Sequence, residues 1–217
     1  MKNINLPTKI TISRIVLVAV LLIYLGICTI LSLNGQLGDQ YLGNSTITVP
    51  GLVAAIIFIV ASMTDWLDGY LARKNDQVTT LGKFLDPIAD KMLVNSMLIF
   101  FAVPVAGISG YVFVPVFCVI LMVLRDLIVD TLRFVAAQKG KVVAANIFGK
   151  LKTVFQMIAL PFIMLGDFPF SYFDADWPVW VRPSMIMIYI ATLMSIISGV
   201  IYVIQNGHVL KEEKSDE

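Results

Sequence analysis

Residues Thr64–Lys91 read TDWLDGYLARKNDQVTTLGKFLDPIADK. Four of its five aspartates, Asp65, Asp68, Asp86 and Asp90, stand at fixed intervals among glycines and a single arginine. Both flanks are apolar: Val49–Met63 and Met92–Leu124 carry no charged residue. A charge at the centre of a bilayer costs about 2.5–3.5 kcal/mol even on lenient insertion scales. Carboxylates in such surroundings are therefore either paired or functional. The rest of the chain supports a membrane setting. It has 217 residues, 58% hydrophobic and only 14% charged, with a mean hydropathy of +0.86. A soluble domain carries about 25% charged residues. Too few polar groups remain to cover a globule, so lipid must cover it. A formal net charge of +1 gives no global attraction to nucleic acid.

A spanning helix needs roughly 20 apolar residues. Six such segments are predicted, at about 11–33, 48–74, 81–103, 111–136, 147–166 and 179–204, giving an all-α integral membrane protein of one domain, 1–217. Turn chemistry separates them: Asn34-Gly35, Pro50, Asn75-Asp76, Pro104 with Gly107 and Gly110, Lys139-Gly140, and Pro169 to Pro178. The basic N-terminus, with Lys2, Lys9 and Arg14, leads into an apolar run that continues to Leu33 without a small-residue cleavage site. That run is too long for a signal peptide and reads as the first span. With six spans, both termini and the 75–80 and 137–146 connections share one side. Every Lys and Arg except Arg182 falls on that side or on helix ends facing it, which makes it cytoplasmic. The opposite connections carry Asp39, Asp167, Asp174 and Asp176, and Trp177 and Trp180 suit an outer interface belt.

Within Asp65-x2-Asp68-Gly69-x2-Ala72-Arg73-x8-Gly82-x3-Asp86-x3-Asp90, positions 65, 68, 69 and 72 share one helix face, and 82, 86 and 90 share another. The short turn makes the two helices antiparallel neighbours. Asp68 then lies roughly 9 Å from the cytoplasmic end of its helix, and Asp86 about as far into the next. Four carboxylates converging at one depth would repel or protonate unless cations joined them. Hard oxygen ligands without His or Cys suit Mg²⁺, Mn²⁺ or Ca²⁺. A single His, His208, and two cysteines in separate apolar runs, Cys28 and Cys118, offer little for zinc or disulfide chemistry. A lone aspartate could equally be paired with Arg73 or Lys91. Eight specified residues at fixed spacing are another matter, with a chance occurrence on the order of 10⁻⁸.

This run resembles the signature of the CDP-alcohol phosphatidyltransferases, D-x2-D-G-x2-A-R-x8-G-x3-D-x3-D, at every fixed position. The resemblance implies a six-helix membrane fold, a homodimer, and two divalent ions, Mg²⁺ or Mn²⁺, in a site open to the cytoplasm. It also implies attack of an alcohol on the β-phosphate of a CDP-lipid with loss of CMP. By motif position Asp65, Asp68, Asp86 and Asp90 would be metal ligands, and Asp90 the catalytic base. Gly69, Ala72, Arg73 and Gly82 would line the CDP-lipid site.

Two further clusters bear on the acceptor. Arg125-Asp126-Leu127-Ile128-Val129-Asp130-Thr131-Leu132-Arg133 closes the fourth span, and Gly149-Lys150-Leu151-Lys152-Thr153 opens the fifth. Taken alone, the lysines and Arg133 read as ordinary cytoplasmic anchors. Arg125 lies deeper and needs a partner or an anionic ligand. A helix N-terminus with two lysines also suits a phosphate. Both clusters, and the segment Pro7-Thr8-Lys9-Ile10-Thr11-Ile12-Ser13-Arg14, resemble the bacterial phosphatidylglycerophosphate synthase branch of the family. That resemblance implies CDP-diacylglycerol as donor and glycerol 3-phosphate as acceptor, in the bacterial inner membrane. Arg125, Arg133, Lys150 and Lys152 would hold the acceptor phosphate, and Thr11 would sit on the CDP-lipid side. Thr8 stands where Asn is expected, and Asp130 where a small or hydroxyl residue is expected; Asp130 is read either as pairing with Arg133 or as facing competition from Asp126 for that arginine. Serine, inositol phosphate or phosphatidylglycerol are the alternative acceptors. A prenyltransferase with paired aspartates and a divalent-cation transporter are the readings outside the family. Neither accounts for Gly69, Ala72, Arg73 and Gly82 together.

Overall fold

The computed structural model describes residues 6–36, 41–43, 45–74, 80–103, 113–140, 144, 146–173 and 177–206, without the side chains of 6–7, 65–74, 80–84, 86 and 87. It consists of six long helices: α1 Leu6–Leu33, α2 Val49–Lys74, α3 Thr80–Phe100, α4 Val116–Gln138, α5 Ile147–Met164 and α6 Pro183–Asn206. Among the described residues the only β pairing is one isolated bridge, Tyr41 to Thr48. Each helix coincides with a predicted segment to within a few residues. The largest shifts, five residues, are at the starts of α1 and α4, and α6 starts four residues late. There Val179–Val181 forms a separate 3₁₀ turn, and Pro183, whose missing N–H has no intrahelical partner to lose, begins the helix. Asp167 caps that start, accepting from the Ser184 backbone N–H at 3.3 Å and from its hydroxyl at 3.0 Å.

Among the described residues three helices are long and apolar enough to cross a membrane by composition: Thr8–Leu33, Ile147–Met164 and Pro183–Asn206. The other three are no shorter than α5, having 26, 21 and 23 residues. Of these, α4 carries four charged residues, Arg125, Asp126, Asp130 and Arg133. At 1.5 Å per residue each would cover a hydrocarbon layer of about 30 Å. Outward faces are apolar throughout. On α1 they show Val16, Val20, Ile23, Ile27 and Ile30; on α4, Phe117, Ile120, Leu124, Leu127 and Ile128; on α6, Leu193, Ile196, Val200, Val203 and Ile204. An apolar surface this continuous marks contact with lipid or protein, because water-soluble monomers expose only small patches.

The interior has two zones. On α1 the buried stripe begins with Thr8, Thr11 and Arg14 and continues with Val18, Leu21, Leu25 and Cys28. On α5 it begins with Lys152 and Gln156 and continues with Ala159, Leu160, Ile163 and Met164. The apolar ends join Phe58, Met97, Leu98, Phe101 and Met122 in one close-packed core. The polar ends lie where α2 finishes and α3 begins, and there the interior opens into a cavity. Helices α4 and α5 both pack on α6, and small residues on its buried face, Ala191, Ser195 and Ser198, allow close approach.

Candidate active site

The cavity measures about 410 Å³ and is walled by α3, α4, the first turns of α5, and α6. From α3 come Asp90, Lys91 and Asn95; from α4, Arg125, Asp126, Asp130 and Arg133; from the α5 start, Asn146, Gly149, Lys150 and Lys152; from α6, Tyr202. The α4 set is spaced i, i+1, i+5 and i+8, so one face of one helix delivers it. On α5 the Asn146 side chain caps the helix, accepting the Gly149 N–H at 2.7 Å. Lys150 and Lys152 therefore sit at the positive end of the helix dipole.

The acidic and basic groups are sorted. Asp126 accepts from Lys152 Nζ at 2.5 Å and from Arg125 Nη1 at 3.1 Å, on the same oxygen. Asp130 pairs with Lys91 across the α3–α4 seam. This corrects the predicted Asp130–Arg133 pair. Arg133 instead donates to the Tyr202 hydroxyl at 2.5 Å and lies over that ring, 5.2 Å from its centroid. Lys91 outcompetes Arg133 because it reaches Asp130 from the facing helix, whereas Tyr202 draws the guanidinium toward α6. Among the described residues Arg133 and Lys150 have no carboxylate partner. Five cationic side chains thus share the cavity lining with three carboxylates, Asp90, Asp126 and Asp130.

All four residues expected at an acceptor phosphate, Arg125, Arg133, Lys150 and Lys152, line this one cavity, and so does Asp90. They are not equivalent. Lys150 is exposed, whereas Lys152 is buried, at 3% exposure, in its ion pair with Asp126. Arg125 lies near the middle of α4, because the helix runs on to Gln138. Asp65 and Asp68 fall in the last ten residues of α2, and Asp86 and Asp90 in the first eleven of α3, on helices that pack together. The side chains of Asp65, Asp68, Asp86 and Arg73, like positions Gly69, Ala72 and Gly82, lie outside the described set. Among the described residues no group of three His, Cys, Asp or Glu gathers to hold a metal. The helical placement nevertheless suits a hard-cation site, since every donor is a carboxylate and no His or Cys adjoins Asp90 along the cavity. Thr11 is buried in the polar stripe of α1 beside Thr8 and Arg14.

Sequence reasoning missed Asn146, Ser198, Gly199 and Tyr202. Ser198 accepts from Arg125 and donates to Asn146 Oδ1 at 2.7 Å. Their signal in the sequence was slight: a Ser-Gly pair within an otherwise apolar helix, and an Asn three residues ahead of Gly149-Lys150.

The family model for CDP-alcohol phosphatidyltransferases matches residues 4–197. The chain is 40% identical to the CDP-diacylglycerol–glycerol-3-phosphate 3-phosphatidyltransferase of Bacillus subtilis over 210 residues, 95% of this chain and 97% of that one. It is 35% identical to the Mycoplasma pneumoniae protein of the same name, over 95% of this chain and 89% of that one. Its identity to the Escherichia coli counterpart is 36%, over 74% of this chain and 76% of that one. With a helical scaffold that gathers Asp90 and a set of cations in one cavity, and with relatives matched along nearly its whole length, the chain belongs to the CDP-alcohol phosphatidyltransferase family and is a transferase.

Proposed function

We propose that the chain transfers the phosphatidyl group of CDP-diacylglycerol to glycerol 3-phosphate, giving phosphatidylglycerol phosphate and CMP. The observation that carries this reading is the shared cavity. Asp90 lines it together with Arg133 and Lys150, cations without a carboxylate partner among the described residues. An acceptor with its own phosphate gives these cavity-lining cations a charge-assisted partner, whereas a neutral alcohol gives them none. The names of the matched relatives give the same donor and acceptor.

In the reaction the acceptor hydroxyl oxygen attacks the β-phosphorus of the CDP-lipid. The bond from that phosphorus to the CMP oxygen breaks, and CMP leaves with the electron pair. Asp90 takes the hydroxyl proton. A carboxylate is a weak base toward an alcohol, so positioning beside the nucleophile must supply much of its effect. Arg125, Arg133, Lys150 and Lys152 surround the acceptor phosphate, Lys152 chiefly by fixing Asp126 and Arg125. Arg73, with Gly69, Ala72, Gly82 and Thr11, faces the nucleotide side. Asp65, Asp68, Asp86 and Asp90 would hold two divalent ions, Mg²⁺ or Mn²⁺, which when bound neutralise the pyrophosphate charge.

The same reading has 1–217 as one domain crossing the bacterial inner membrane six times, with termini and cavity on the cytoplasmic side, and working as a homodimer. Purified protein tests the chemistry through CMP release from CDP-diacylglycerol. Release should require glycerol 3-phosphate, stop with EDTA and return with Mg²⁺ or Mn²⁺. Asp90→Asn should slow it by about 10²-fold or more. Undiminished release in folded Asp90→Asn would remove that residue from the chemistry.

A further inference from the structure

Arg125 and Arg133 project from α4, yet much of what fixes them lies on α6, a helix with no charged residue of its own. Ser198, Gly199 and Tyr202 stand at i, i+1 and i+4 on that helix, one face turned to α4 and α5. Gly199 leaves the space through which the Arg125 stem passes. A Cβ there would come within 2.9 Å of Arg125 Cγ and 3.9 Å of its Cβ. Across from it, a Cβ on Gly149 would stand 3.0 Å from Arg125 Nη2. The guanidinium donates to Ser198 Oγ. Ser198 donates onward to Asn146 Oδ1 at 2.7 Å, and Asn146 Nδ2 returns to the Ser198 carbonyl at 3.2 Å.

Tyr202 completes the arrangement. Its ring lies beneath both guanidiniums, 5.7 Å from Arg125 Cζ and 5.2 Å from Arg133 Cζ. Its hydroxyl accepts from Arg133 Nη2 and donates to the Ala144 carbonyl at 2.7 Å, so the ring cannot drift. Two like charges on one ring repel unless an anion lies between them or their surroundings hold them in place. Arginine otherwise gives up considerable rotamer freedom on binding, and a residue already held in place gives up less.

We propose that Ser198, Gly199 and Tyr202 are positioning residues that pre-form the acceptor-phosphate site, holding Arg125 and Arg133 ready for one phosphate. The proposal rests on the acceptor reading above and adds that α6 makes the site rigid. It separates from plain helix packing because its effect must pass through the two arginines.

The test is steady-state kinetics on the purified full-length protein with glycerol 3-phosphate and CDP-diacylglycerol both varied. Tyr202→Phe, Ser198→Ala and Gly199→Ala are measured alone, and again in Arg133→Ala and Arg125→Ala backgrounds. Tyr202→Phe adds no atom and keeps the ring, so it decides the matter if Gly199→Ala does not purify folded. Each single change should raise KM for glycerol 3-phosphate about 5- to 10-fold through a weakened arginine contact. The donor KM, and kcat at saturating acceptor, should stay within about two-fold. In the Arg133→Ala background Tyr202→Phe should add less than about two-fold, and Gly199→Ala likewise in Arg125→Ala. Full effects persisting without the arginines, equal losses for both substrates, or no effect at all would overturn the positioning role. If Arg125→Ala and Arg133→Ala themselves leave the acceptor KM unchanged, the acceptor-phosphate reading falls, and this proposal with it.

Discussion

Arg133 and Lys150 face the cavity without a carboxylate partner among the described residues, whereas Lys152 spends its charge on Asp126. The lysines stand two positions apart on one helix and should therefore respond differently to the same change. A charge-assisted hydrogen bond contributes about 1.5–3 kcal/mol. Arg133→Ala or Lys150→Ala should thus raise KM for glycerol 3-phosphate about 10- to 100-fold, with KM for CDP-diacylglycerol nearly unmoved. Varying both substrates checks this, and Arg182→Ala, on the opposite side by the topology reading, is the control. Lys152→Ala should instead destabilise the fold by about 3 kcal/mol, the low end for breaking a buried pair, because Arg125 still faces Asp126. A thermal melt in detergent distinguishes them: Lys152→Ala melts lower and Lys150→Ala does not. From the sequence these lysines looked alike, both part of a basic helix start. Their difference depends on Asp126, 26 residues away from Lys152, whose pairing no local spacing encodes. The same holds for Asp130, whose i+3 neighbour Arg133 was the natural partner until a lysine from another helix reached it.

At the scale of elements, apolar runs and turn residues carried most of the information. Six segments read from hydropathy and breakers correspond to six helices, because a run long enough for a bilayer is also long enough to form a helix unaided by its neighbours. The α6 start was harder to read. Trp177 to Arg182 is apolar enough to be joined to the helix, but the Pro178 and Pro183 backbones permit only a short 3₁₀ turn before it. What locks this end is the tight Gly166-Asp167 corner after α5. Gly166 has φ +64°, and a Cβ on it would meet the Thr46 carbonyl oxygen at 2.5 Å. Gly166→Ala should therefore lower stability by about 1–3 kcal/mol. Both KM values should remain unchanged in the folded fraction, since the corner lies at the opposite end of α5 from Lys150. Melting curves alongside kinetics would test it, and a stable Gly166→Ala protein would deny the corner its role.

For the whole molecule, the distribution of charge carries the topology. On the sequence reading, basic residues gather at the cytoplasmic end of the helices and the acidic connections lie at the other. Six crossings with cytoplasmic termini predict that Asp174→Cys reacts with an impermeant thiol reagent in intact cells, whereas Asp76→Cys reacts only after lysis. Cys28 and Cys118 are buried and should contribute little background. Reversed labelling would invert the protein and put the cavity on the wrong side for a cytoplasmic nucleotide-lipid substrate. The central claim concerns what enters that cavity. Its most direct test offers the purified protein CDP-diacylglycerol and Mg²⁺ with an equimolar mixture of glycerol 3-phosphate, serine, inositol phosphate and phosphatidylglycerol, and weighs the lipid products by mass spectrometry. The account predicts phosphatidylglycerol phosphate as the dominant product, matched by released CMP. Phosphatidylserine, phosphatidylinositol phosphate or cardiolipin as the main product, with no phosphatidylglycerol phosphate, would contradict it.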